Sequence, residues 1–73
     1  MSRPAKFSGK RLREARRALK LSRFRLAVAL GVTPQTIVNW EMGTHVPNAE
    51  YLVQMALELG REVEYFFDAG VHK

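Results

Sequence analysis

The sequence predicts an all-α fold of five short helices around one core. Three observations lead there. Apolar residues recur three and four positions apart, as on one face of a helix. Glycines at 31, 43 and 60 interrupt that period, and the capping residues Ser8, Ser22, Thr33 and Asn48 stand ahead of its restarts. No segment reads as a strand, and no repeat or low-complexity tract occurs.

Each helix has its own signal. Residues 1–7, with two bases, one proline and little to bury, read as a flexible basic arm. Ser8 caps the first helix, whose inner stripe is Leu12, Ala15, Arg16 and Leu19 at i, i+3, i+4, i+7. Leu21-Ser22 breaks it, and Ser22 caps a second helix over residues 23–30 that buries Leu26, Ala27 and Leu30. Gly31 ends that helix. Thr33 caps the third, Pro34 takes its first position, where a missing N–H does no harm, and Ile37 and Trp40 face inward up to about Met42. Asn48 caps a fourth helix over residues 49–59, with an apolar stripe of Leu52, Val53, Met55, Ala56 and Leu59. Gly60 stops it. A fifth, short helix over residues 63–67 supplies Val63, Phe66 and Phe67. Residues 8–68 thus form one domain, followed by a tail at 69–73.

Composition bounds the function. Seventy-three residues make one domain at most; 47% are hydrophobic and 26% charged, an ordinary globular balance. The absence of cysteine excludes a disulfide framework and a thiol nucleophile and fits a reducing cytoplasm. No apolar run approaches the ~20 residues of a membrane span, and no signal peptide is expected. His45 and His72 are far apart, and neither a carboxylate pair, a phosphate loop nor a metal-ligand cluster is visible, so no catalysis, metal or cofactor is expected. Charge is uneven. Residues 1–25 hold ten Lys/Arg against Glu14, net +9, while residues 26–73 hold two bases against six acids, net −4. One end of the domain can therefore face a polyanion that the other repels.

The central signal lies in residues 23–42, two short helices separated by Gly31-Val32-Thr33. Ala27 must be small where the third helix crosses, Gly31 makes the turn, and Leu26, Leu30, Val32, Ile37 and Trp40 lock the pair at a fixed angle. Those are the positions a helix-turn-helix needs filled.

The chain here resembles the helix-turn-helix domains of phage repressor, Cro and the bacterial xenobiotic-response regulators. The resemblance spans about residues 9–67. It is carried by Arg13-Glu14-Ala15-Arg16, Leu21-Ser22, Leu26-Ala27, Leu30-Gly31-Val32-Thr33, Ile37, Trp40-Glu41, Asn48-Ala49-Glu50-Tyr51-Leu52 and Ala56-Leu57-Glu58-Leu59-Gly60. It implies the five-helix lambda-repressor-like fold and sequence-specific binding of double-stranded DNA, as a homodimer on a palindromic operator. Repression by occlusion is the expectation for a chain this short.

By resemblance the third helix is the recognition helix, with Thr33, Pro34, Gln35, Thr36, Val38 and Asn39 facing bases. Amides pair bidentately with adenine, which singles out Gln35 and Asn39, while Pro34 and Val38 suit thymine methyls. Residues 33–42 contain no Lys or Arg, so phosphate contact is expected from Lys10, Arg11, Arg13, Lys20, Arg23 and Arg25, with Arg3 and Lys6 on the arm as further candidates. Arg16 and Glu41 are expected to form a structural ion pair that sets the angle of the recognition helix. The implied dimer interface is Val63, Glu64 and Tyr65, with Leu57; Tyr65 as a mere cover for the core edge is the competing reading.

Several residues depart from the family pattern. Phe24 stands where an acid is usual, Lys20 where glycine often ends the first helix, and Arg61 in place of a core aliphatic. Thr44, His45 and Val46 replace a basic loop. A protein-interaction module, such as an antitoxin or an anti-repressor-like partner, is the alternative function.

Overall fold

The computed structural model describes residues 5–68. Its elements in order are strand β1 (Lys6–Phe7), helices α1 (Gly9–Ala18), α2 (Arg23–Leu30), α3 (Pro34–Met42) and α4 (Ala49–Leu59), a 3-10 turn (Val63–Phe66) and strand β2 (Phe67–Asp68). Each α-helix starts on a side-chain cap: Ser8, Ser22, Thr33 and Asn48 accept the backbone N–H of Arg11, Arg25, Thr36 and Tyr51.

All four end in one device. A residue at positive φ lets the next N–H close back on the helix, as in Leu21 to Arg16, Val32 to Ala27, Thr44 to Asn39 and Arg61 to Ala56. That residue is glycine at 31, 43 and 60, and Lys20 after α1.

The core is Leu12 and Ala15 of α1, Leu26, Ala27 and Leu30 of α2, Ile37 and Trp40 of α3, Met55, Ala56 and Leu59 of α4, and Phe66. α3 packs against both α1 and α2, so the second helix of the motif is clamped from two sides. Trp40 and Tyr51 join α3 to α4 with ring centroids 5.4 Å apart.

Among the described residues the expectation of five helices is corrected to four α-helices, one 3-10 turn and a small sheet. Residues 63–66 are too few to complete α-helical hydrogen bonding, and Phe67 leaves the turn to pair with the opposite end of the chain. β1 and β2 run antiparallel, Lys6 opposite Asp68 and Phe7 opposite Phe67, and the Ser8 N–H donates to the Phe66 carbonyl at 2.7 Å. The Phe7 and Phe67 rings meet edge to face at 6.1 Å. Lys6 and Phe7 are therefore sheet residues, not part of a free arm. Arg3, the rest of the arm before Ala5, and the 69–73 tail lie outside the described residues.

Two stripe assignments also change. Leu19 is 51% exposed because α1 stops at Ala18 and the period no longer applies beyond it. Val53 is 50% exposed because it lies two positions from Met55, on the opposite side of α4, in line with Leu57 one turn on.

Candidate nucleic-acid interface

The outer side of α3 is built on its inner side. Ile37 and Trp40 are buried, which fixes the rotation of the helix and turns Pro34, Gln35, Val38 and Asn39 away from the core. Thr33, Pro34 and Gln35 are exposed, while Thr36, Val38 and Asn39 are half-buried. The Gln35 Nε2 donates to Asn39 Oδ1 at 3.1 Å, so the two amides one turn apart form a unit. That bond leaves Gln35 with its Oε1 acceptor and one N–H, and Asn39 with both N–H groups and one remaining lone pair on Oδ1. The Thr33 and Thr36 hydroxyls lie 3.0 Å apart, and the Thr33 hydroxyl also accepts the Thr36 N–H at 3.2 Å. These two threonines are occupied chiefly in holding the start of the helix.

The other end of α3 is tied down as firmly. The Asn39 carbonyl accepts the Thr44 hydroxyl at 3.2 Å and the Thr44 N–H at 3.0 Å. Glu41 turns inward. Its Oε2 accepts Arg16 Nε at 2.6 Å and its Oε1 accepts Arg16 Nη2 at 3.2 Å, with both side chains under 10% exposed. Arg16 Nη1 donates to the Leu21 carbonyl at 2.8 Å, which binds the α1–α2 connection into the same knot. A second arginine joins, as Arg23 Nε donates to Glu41 Oε1 at 2.9 Å. Sequence reasoning paired Glu41 with Arg16 alone. The link to Arg23 spans 18 positions and left no periodic signal.

The basic residues divide. Lys10, Lys20, Arg23 and Arg25 are exposed and Arg13 is half-buried. Arg11, grouped on sequence grounds with the phosphate-facing bases, is engaged with the C-terminal segment. Its Nη1 donates to the Tyr65 and Phe67 carbonyls at 3.1 and 3.0 Å, and its Nε lies 3.9 Å from Asp68 Oδ1. It fastens α1 to the closing segment around Tyr65–Asp68.

Of the residues assigned to a dimer interface, Leu57 is 78% exposed and Glu64 is exposed. Val63 and Glu64 line a groove with Ala5, Arg11 and Phe67. Tyr65 is half-buried. Its ring lies beneath the Arg61 guanidinium at 4.6 Å, has the Arg11 guanidinium 5.8 Å from its centroid, and meets Phe66 edge to face. Arg61 therefore covers an aromatic ring where a core aliphatic is usual. His45 is exposed in the loop after α3.

Gly9 is a positional residue that sequence reasoning missed. A Cβ there would overlap the backbone carbonyls of Trp40 and Glu41, so glycine is what lets α1 touch the end of α3. No metal-ligand cluster occurs among the described residues, and no helix among them is long and apolar enough to cross a membrane.

The helix-turn-helix family model matches residues 12–66. The chain belongs to the helix-turn-helix family. Among solved structures this helix-turn-helix chain is similar to the P22 c2 repressor protein in complex with a synthetic operator. Identity is 30% and the TM-score 0.78, over 84% of this chain and 92% of that one. It is also similar to the restriction-modification controller protein C.AhdI from Aeromonas hydrophila, with 30% identity, a TM-score of 0.75, and 81% and 89% of the two chains covered. Together with the family match, these two likenesses make it a lambda-repressor-like DNA-binding domain. Hydroxypropylphosphonic acid epoxidase from S. wedmorenis is similar at 28% identity and a TM-score of 0.75. That match takes in 88% of this chain but only 38% of the epoxidase, a likeness to one part of a larger protein. No curated protein sequence matches the chain.

Proposed function

We propose that the protein is a sequence-specific regulator of transcription that binds double-stranded DNA as a homodimer and represses by occluding a palindromic operator. The observation that carries this reading is the linked amide pair, Gln35 and Asn39, on the outward side of a helix whose other side is locked in the core. Gln35 retains the acceptor and donor needed to pair with adenine N6 and N7. Asn39, with both N–H groups and a second Oδ1 lone pair left, can likewise pair with adenine N6 and N7. Pro34 and Val38 pack on thymine methyls, and Thr33 and Thr36 border the same face. Lys10, Arg13, Lys20, Arg23 and Arg25 supply phosphate contacts, and Arg11 leaves that set. Leu57, Val63, Glu64 and Tyr65 form the proposed dimer surface, with Leu57 the most exposed apolar residue of the four.

Selection of bound duplexes from a random pool tests this. The expected result is a two-fold symmetric site with half-sites about one helical turn (~34 Å) apart. Binding to it should weaken by several powers of the salt concentration. A recovered pool without a consensus contradicts the reading.

One observation favours a protein-binding role instead. Phe24 and Val28, one turn apart on α2, are 64% and 65% exposed. On that reading, replacing both by Ser removes activity while DNA affinity stays weak and indifferent to sequence.

A further inference from the structure

Glu41 holds more positive charge than it neutralises. Its carboxylate is 1% exposed and accepts three N–H groups from two arginines, with Oε1 shared between Arg16 Nη2 and Arg23 Nε. Arg16 is sealed, 8% exposed and also bonded to the Leu21 carbonyl. Arg23, the first residue of α2, keeps 44% of its side chain exposed. Its Nη groups have no hydrogen-bond partner among the described residues. Two guanidinium groups on one carboxylate leave the cluster at net +1, and the exposed member carries the surplus.

We propose that Glu41 is a positioning residue that holds Arg23 by its Nε and turns Nη1 and Nη2 outward as a fork for one DNA phosphate. The proposal rests on the DNA-binding reading and assigns Glu41 a part in it beyond the pair with Arg16. An arginine tethered at Nε has given up its rotamer freedom on folding, so gripping a phosphate orders little more of the side chain. A phosphate need not displace the carboxylate, because Arg16 already neutralises it. Since Glu41 belongs to α3 and Arg23 to α2, the grip also fixes where the reading face meets the duplex. Lysine cannot replace arginine here, for a single ammonium lacks the separate Nε donor and the planar fork.

The test is the affinity for the selected duplex across a salt series. It compares wild type, Arg23→Lys, Arg23→Ala, Glu41→Gln and the Arg23→Lys/Glu41→Gln double variant, with folding checked by thermal melts. Arg23→Lys is expected to weaken binding about tenfold, nearly as much as Arg23→Ala. Its salt slope should stay at the wild-type value, while that of Arg23→Ala falls by about one. In the Glu41→Gln background the cost of Arg23→Lys should shrink to about twofold, because the tether is already gone. A purely structural Glu41 would not produce that coupling. Arg23→Lys binding as tightly as wild type, or costing the same in both backgrounds, overturns the proposal. If Glu41→Gln does not fold, the affinities and slopes of the two Arg23 variants decide. A wild-type protein with no preferred duplex removes the DNA-binding reading itself, a result visible before any variant is compared.

Discussion

Lys20 has a φ of +58, the only positive value outside glycine among the described residues. The left-handed region costs an L-residue about 1–2 kcal/mol, part of which glycine gives back through its freer unfolded chain. Lys20→Gly should therefore raise stability by about 0.5 kcal/mol, measured by urea unfolding. The family resemblance, not the residue itself, points to this position, and the reason is visible only in the backbone angle. Glu41 makes the opposite case. Glu41→Ala leaves the buried Arg16 guanidinium without its counter-charge and should cost about 3–5 kcal/mol. Replacing Arg16 and Glu41 together by Met and Leu should cost much less, and chemical denaturation of both variants checks the difference. That Arg16 and Glu41 lie near the core edge is legible in the spacing of α1 and in the neighbour Trp40. That Arg23 joins them is not, because a contact between the start of one helix and the end of another follows no period.

Helix starts and stops follow from short-range chemistry and are the most legible layer. Ser8, Ser22, Thr33 and Asn48 each cap the helix that their position in the sequence announces. The faces of those helices are less legible, because a stripe drawn from hydrophobicity alone ignores where the helix ends and how wide its buried arc is. Leu19 and Val53 fell outside for those two reasons. Contacts between helices are hidden further. Gly9 reads as an ordinary early-helix residue, yet its missing Cβ permits the approach of α1 to the carbonyls of Trp40 and Glu41. Gly9→Ala should push the two helices apart and lower stability by about 2–3 kcal/mol, against the small gain that alanine gives in an unconstrained helix. A thermal melt distinguishes the two signs.

At the scale of the described domain, the segments that flank the helices close on each other. Lys6–Phe7 and Phe67–Asp68 pair across nearly the full length of the chain, and Arg11 bonds two carbonyls of the closing segment. Two-residue strands carry no alternation and a charged latch carries no motif, so this layer could not be read from sequence. We propose that this engagement takes Arg11 out of the phosphate-contacting set. Arg11→Ala should lower stability by about 1–2 kcal/mol, with the partial exposure of the side chain limiting the loss. It should leave the salt slope of DNA binding unchanged. A phosphate-contacting Arg11 would lower that slope by about one. The proposed DNA surface is the outward side of α3 together with Lys10, Arg13, Lys20, Arg23 and Arg25. The central claim is that the Gln35–Asn39 amide pair reads base identity. Its most direct test compares wild type with Gln35→Ala on the selected duplex and on each single-base-pair substitution of one half-site. The expected result is that Gln35→Ala loses discrimination worth about 1–3 kcal/mol at a single adenine position while its salt slope stays that of wild type. Unchanged discrimination at every position would contradict the claim.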